Sequence, residues 1–443
     1  MFVDKNTLPT VAIETQGCKL NQADSLLLSR AFVESGFRHV DEGQPADVYV
    51  VNSCTVTHIA DRKARRSLRA ARRRNPEATI VATGCYAQRS SEELKQIDEI
   101  DLVVGNTDKS TLVRQVIEWI GLPDDVRPIG ETISRLPDAR RRTRAMVKIQ
   151  EGCDQVCAYC IVPKVRGRER SIPTDQLIEE VRSRVAEGYK EVVLTGTQLG
   201  TYGFEWPDAS LRQLIRKVLA ETDVPRLRVS SLQPQEIDEA LLECWDDKRL
   251  CPHFHLPLQS GSDDILKAMR RRYTSGRYAE AVALIRNQVE HASITADVIV
   301  GFPSETDDDF DRTYQLCETV QFADMHVFPY SIRPGTSAAH SLEQVAPGVK
   351  TIRARRLLDL AKRQSVEFRK SLIGSTRSVL WETSTQKDAE DGVGQVTWSG
   401  LTEDYIRVWA MGGTGRENEI TWARMISLDG GLVRAEVMGS LQL

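Results

Sequence analysis

Strand and helix signals alternate through residues 1–125, and this narrows the architecture more than any composition figure does. VAIET (11–15) reads as a strand, followed by a helical pattern over 23–34 that stops at Gly36. DVYVVN (47–52) is a second strand, followed by a basic helix over 59–74 that stops at Asn75-Pro76. TIVATG (79–84) and LVVG (102–105) repeat the theme, with helices near 92–96 and up to about Ile120. Alternation of this kind predicts a parallel sheet with helices on its faces. Cys18, Cys54 and Cys85 each come just after a predicted strand. The carboxyl ends of parallel strands share one edge, where ligands bind. Three thiols separated by more than 30 residues can therefore converge there.

Residues 126–143 are rich in Pro and charge and read as a linker. A second alternation then runs through 144–373, with strands expected at 145–150, 191–196, 226–231, 253–258, 294–302 and 325–331. Six β/α units predict a partial (β/α)6 barrel. Its ligand-binding residues are expected at and just past the strand ends, where Thr195, Gly196, Ser231, Gln259 and Glu305 supply polar groups. His253 and His255 alternate on one strand and read as packing or hydrogen-bonding residues. Residues 374–443 hold five short strand-like runs with Gly-rich turns, which predicts a small closed β-barrel. Trp381, Trp398, Trp409 and Trp422 lie on those runs and are expected in its core. The fold class is α/β, in three domains: 1–125, 144–373 and 374–443.

The chain has nine cysteines. No stretch approaches the roughly 20 apolar residues of a membrane span, and the N-terminus lacks a signal-peptide pattern. A cytoplasmic, reducing location is expected, and structural disulfides are not. Cys153, Cys157 and Cys160 form C-x3-C-x2-C. Three thiolates leave one iron of a [4Fe–4S] cluster open to a substrate or cofactor; zinc with a fourth ligand from elsewhere is the metal alternative. Cys244, Cys251 and Cys317 show no spacing and read as small apolar residues. The formal net charge of -4 argues at face value against nucleic acid. Its distribution argues otherwise: Arg62–Pro76 holds eight Lys or Arg and no acid. Arg62, Lys63, Arg65 and Arg66 follow Cys54, and Arg166 and Arg168 follow the triplet. Basic charge beside both cysteine groups would draw in a phosphate backbone.

C-x3-C-x2-C with Tyr159 before the last cysteine resembles the radical S-adenosylmethionine (SAM) signature. TQGCKLNQ (15–22), VNSCTVTHIADRKARR (51–66) and TGCYAQ (83–88) resemble the N-terminal domain of the methylthiotransferase family. EVVLTGTQLGTYG, RLRVSSLQP, HFHLPLQSGSDD, DVIVGFPSET and MHVFPYSIRPGTSAA resemble its central domain, and the last domain is similar to its TRAM module, which binds RNA. GCKLNQ and CTVTHIADRKARR look most like the MtaB-type branch, which acts on N6-threonylcarbamoyladenosine (t6A) at tRNA position 37; Gln16 and Leu20 depart slightly from its pattern. The resemblance implies two [4Fe–4S] clusters. Cys153, Cys157 and Cys160 would hold the one that cleaves SAM to a 5′-deoxyadenosyl radical. Cys18, Cys54 and Cys85 would hold an auxiliary one carrying the sulfur that a second SAM methylates. It also implies SAM contacts from Tyr159, Thr195, Gly196, Ser231, Gln259, Asp297 and Glu305, and as partners the tRNA anticodon loop, an electron donor and a sulfur source, with no membrane. Rival readings are action on isopentenyladenosine in tRNA, action on a ribosomal-protein aspartate, and a non-catalytic iron–sulfur protein that binds RNA or senses redox state.

Overall fold

The computed structural model describes residues 8–122, 143–387, 395–412 and 415–440. Apart from Thr143, the expected linker lies outside them. The chain forms two compact units. The first comprises, of the described residues, 8–122, 150–170 and 331–339; the second comprises 143–149, 171–330 and the described residues from 340 onward.

In the first unit, strands β1 (Thr10–Thr15), β2 (Arg38–Val40), β3 (Val48–Ser53), β4 (Thr79–Gly84) and β5 (Leu102–Val104) form a parallel sheet in the order β2-β1-β3-β4-β5. Strand β2 escapes the sequence reading because Val40 is its one apolar residue and it lies on the edge. Period-two alternation sends neighbouring side chains to opposite faces. Ala12, Tyr49, Val51, Ile80 and Ala82 pack with Ala64, Leu68 and Ala71 of helix α2 (His58–Arg74). Val11, Ile13, Val48, Val50 and Val81 pack with Leu28 and Phe32 of helix α1 (Lys19–Glu34) on the other side. Thr57 caps α2 by accepting the Ala60 N–H at 3.2 Å. Only Asp61, Ala64, Leu68 and Ala71 of α2 are buried, so its arginines cover the outer face. Helix α1 begins four residues before the apolar pattern does, because Asn21 and Asp24 in its first turns are buried polar groups that hide the periodicity.

The second unit holds six parallel-type strands, as the sequence predicts, but in two sheets. Arg144–Lys148, Glu191–Thr195 and Arg226–Val229 pair side by side, as do His253–His255, Ser293–Val300 and Asp324–Pro329. Between the two sheets, Leu227 bridges to Leu250, three residues before strand four, and the Leu232 N–H donates to His255 O at 3.0 Å. The C-terminal strands Thr376–Lys387, Gln395–Thr402, Arg407–Gly412, Ile420–Asp429 and Leu432–Ser440 close into a barrel. Trp381 and Trp398 fill its core. Trp422 is exposed and Trp409 half-buried, contrary to the expectation of four core tryptophans. Their strand positions point them to the outer face, since side chains alternate along a strand.

The amino ends of the strands in this unit carry a buried charge cluster. Glu191, fully buried, accepts from Arg228 Nε at 2.8 Å and Nη2 at 3.1 Å, and from Arg226 Nη1 at 3.4 Å. The same arginines reach into the small barrel. Arg228 donates to Glu403 O at 3.0 Å, and Arg226 donates to Leu401 O at 3.1 Å and Ser378 Oγ at 2.6 Å. Arg144 pairs with Glu382 at 2.8 Å. The barrel is thus pinned to the amino-terminal edge, which leaves the carboxyl edge of the strands free of it.

Candidate functional site

All six motif cysteines fall in the first unit. Cys18, Cys54 and Cys85 follow β1, β3 and β4, three adjacent strands in parallel register. The turns that carry them are tight. Gly17 has φ +103, and a Cβ there would come within 2.6 Å of Cys54 Cβ and 3.1 Å of its Sγ. Only glycine allows that approach. Gly84, just before Cys85, has φ +92, and a Cβ on it would meet Ser53 O at 2.4 Å. The loop of the second triplet closes in the same way: a Cβ on Gly152 would lie 1.9 Å from Arg168 O, and the Cys153 N–H donates to Gly167 O at 3.2 Å.

Two of the thiols, Cys54 and Cys153, sit in environments that favour protonation. Burial pushes Cys54 up to about 12, and nearby Cys85 and Cys18 add to the effect. Burial pushes Cys153 up to about 11, with Cys157, Glu169 and Asp154 adding negative charge. Among the described residues, no three His, Cys, Asp or Glu side chains converge as ligands of one metal ion. Metal binding must displace the thiol protons.

Around the first trio lies a buried polar network that sequence reading missed. Arg166, which was expected to face RNA, is buried instead, its side chain 2% exposed. It pairs with Asp24 at 3.1 Å and Glu151 at 3.3 Å and donates to Asn21 Oδ1. Lys109 Nζ shares Asp24 at 2.9 Å. Burial alone would lower the Arg166 guanidinium, but Cys85, Asp24 and Cys18 hold it more firmly charged than usual. Beside Cys54, Arg333 Nη1 reaches Thr55 O at 3.1 Å and Asp61 Oδ2 at 2.7 Å. The available signal was Asn21 and Asp24 three residues apart on one helix face, directly after a motif cysteine.

Residues 10–105 match the uncharacterized protein family UPF0004, and residues 147–317 match the radical SAM superfamily. Threonylcarbamoyladenosine tRNA methylthiotransferase MtaB of Aquifex aeolicus is 40% identical over 367 residues, covering 81% of this chain and 89% of the relative. The MtaB of Bacillus subtilis is 35% identical and covers 90% of each chain. The tRNA-2-methylthio-N(6)-dimethylallyladenosine synthase of Oceanobacillus iheyensis is also 35% identical, over 92% of this chain and 84% of its own. The chain belongs to the radical SAM tRNA methylthiotransferase family. With membership come SAM and [4Fe–4S] clusters as cofactors. The fold is similar to that of the radical SAM methyltransferase TsrM of Kitasatospora setae, with a TM-score of 0.54, 15% identity and coverage of 75% of this chain and 77% of that one.

Of the SAM-contact candidates in this methylthiotransferase, Tyr159 belongs to the first unit and the rest to the second. Thr195 ends a strand and Gly196 directly follows it. Ser231 lies two residues past the next strand and is half-buried. Gln259 has φ +63, and its backbone is fixed to Asp297 O and the Ile299 N–H, both at 2.8 Å. Two candidates are taken by internal partners. Glu305 accepts from Arg353 at 2.6 Å and from the Gly301 N–H at 2.9 Å; burial pushes its carboxyl up against the pull of both. Asp297 pairs with His255 at 3.4 Å and His326 at 3.2 Å. Burial would raise Asp297, but the two histidines hold it below the usual carboxylate range. His253 and His255 both bond Thr295 Oγ1 at 3.0 Å, as ordinary hydrogen-bonding residues do. Of the RNA candidates, Arg62, Lys63, Arg66 and Arg168 are exposed. Arg65 is half-buried against Tyr86 and Glu93. Among the described residues, no helix is long and apolar enough to cross a membrane.

Proposed function

We propose that this radical SAM methylthiotransferase adds a methylthio group to C2 of N6-threonylcarbamoyladenosine at position 37 of tRNA, in the cytoplasm. The observation that carries this reading is identity of 35–40% to three MtaB proteins over 81–90% of the chain. Cys153, Cys157 and Cys160 would hold one [4Fe–4S] cluster, and Cys18, Cys54 and Cys85 the other. When bound and reduced, the first supplies the electron that cleaves SAM to a 5′-deoxyadenosyl radical, and the second presents the sulfur to be methylated by another SAM. The protein's part is placement. The glycine turns hold the thiols at fixed strand ends, and burial of Cys54, Cys85 and Cys157 keeps water from them. The exposed basic face of α2, beside Cys54, suits the phosphates of an anticodon loop, whose bases can be splayed out. The reaction also draws on an electron donor and a sulfur source.

The 35% identity to dimethylallyladenosine synthases favours one rival substrate, isopentenyladenosine. Mass spectrometry of tRNA nucleosides from a strain lacking the gene separates the two. Loss of methylthio-t6A with methylthio-isopentenyladenosine retained is the expected result. The reverse pattern would refute the substrate. Unchanged tRNA would favour the ribosomal-protein aspartate, and reduced, reconstituted protein that makes no 5′-deoxyadenosine would favour a non-catalytic iron–sulfur protein.

A further inference from the structure

Two asparagines tie the segment that follows the Cys153–Cys160 triplet to the strand-end cysteines, all within the first unit. Asn106 Nδ2 donates to Val165 O at 2.8 Å and to Cys85 Sγ at 3.5 Å. Asn21 Oδ1 accepts from Arg166 Nη2 and lies 4.0 Å from Cys18 Sγ. Asn21 Nδ2 donates to Gln16 O at 2.7 Å and Ser53 O at 3.2 Å, one carbonyl near Cys18 and one next to Cys54. Val165 packs with Cys85 and Ile161 in a small buried cluster. Arg166 is therefore one hydrogen bond from the partner of Cys18, and its neighbour Val165 touches Cys85. Burying an arginine costs several kcal/mol of desolvation even after pairing. A contact to RNA would need none of that burial.

We infer that Arg166 is a positioning residue for the group held by Cys18, Cys54 and Cys85. Its fixed charge sets the electrostatic environment of that group, and its forked donors lock the trio to the segment after Cys160. Lys109 is the second cation of the site and Asp24 the carboxylate that both share. A nearby positive charge favours the reduced, more negative state of a cluster and so raises its reduction potential. The inference rests on the cluster reading under Proposed function.

The test uses the full chain with Cys153→Ala, Cys157→Ala and Cys160→Ala, which leaves the strand-end trio as the one remaining motif group. After reconstitution, iron content and the thiolate-to-iron absorption establish whether that trio holds a cluster. Midpoint potential and electron paramagnetic resonance spectrum are then compared for Arg166→Gln, Arg166→Lys and Asp24→Asn. Arg166→Gln is expected to shift the potential to more negative values, while Arg166→Lys, which keeps the charge, stays near the parent. Asp24→Asn removes the opposing anion and is expected to shift it to more positive values. A loosened fold would move Arg166→Gln and Asp24→Asn the same way, and that result overturns the inference, as do unchanged potentials. If Arg166→Gln does not fold, the sign of the Asp24→Asn shift decides alone. A parent variant that binds no cluster overturns the reading of the trio, and the inference with it.

Discussion

Replacing Glu191 with Gln should release about 3 kcal/mol of stability at pH 7, and the structure supplies the arithmetic. Glu191 is fully buried and faces Arg228, Arg226 and Arg144. Burial alone would raise its carboxyl, but the arginines hold it at about 2, against an ordinary 4.5. A depression of that size is worth about 3 kcal/mol at about 1.4 kcal/mol per unit. It agrees with the roughly 3–5 kcal/mol lost when one partner of a buried pair is removed. The variant strands two arginines whose side chains are 0% and 4% exposed. For a unit of this size the melting temperature should fall by about 6–12 °C. The sign in pH follows from a depressed carboxyl. Its contribution is complete above about 4.5 and is lost as pH falls toward 2. At pH 3 the difference between wild type and variant should shrink to about 1 kcal/mol. Denaturant unfolding followed by tryptophan fluorescence reads the right part of the chain, because Trp119 alone lies in the first unit. A loss below about 1 kcal/mol at pH 7, or one equal at pH 7 and pH 3, would refute the reasoning.

Cys18→Ala should still cleave SAM to 5′-deoxyadenosine yet yield no methylthio nucleoside; full product formation would refute the assignment of Cys18. Changing exposed Arg62, Lys63 and Arg66 together to Gln should weaken tRNA binding and flatten the log–log salt slope by about 2. An unchanged slope in a filter-binding titration would remove α2 from the RNA interface. Glu403 behaves opposite to Glu191. Burial, then Asp404, pushes its carboxyl up to about 7, and its Oε2 has no hydrogen-bond partner. A raised carboxyl stabilises the fold below about 4.5 and loses that contribution as pH rises toward 7. Glu403→Gln should therefore stabilise the protein by up to about 3 kcal/mol at pH 8 and leave it nearly unchanged at pH 4. Equal effects at both pH values in thermal melts would disprove this.

The parallel sheet was legible because Val, Ile and Ala runs recur with helical spacing between them, and local periodicity survives folding. Strand β2 was not, since RHV (38–40) becomes a strand only by lying beside β1. The split between the two sheets of the second unit was equally hidden, because pairing between distant strands leaves no local pattern. Trp422 shows the limit from another side: a tryptophan on a strand has two faces to choose from, and only the closed barrel selects one.

By itself the sequence determined the chemistry on offer: two cysteine trios, glycines at Gly17, Gly84 and Gly152 that permit close turns, and a family resemblance spread along the chain. Thiol identity and spacing are local properties, written directly in residue order. The tertiary structure alone decided what each charge is for. Arg62 and Arg166 look alike in a basic run, yet one is exposed on α2 and the other buried against Asp24 and Glu151. Desolvation and pairing depend on which distant elements fold over a side chain, and no short window of sequence contains that information.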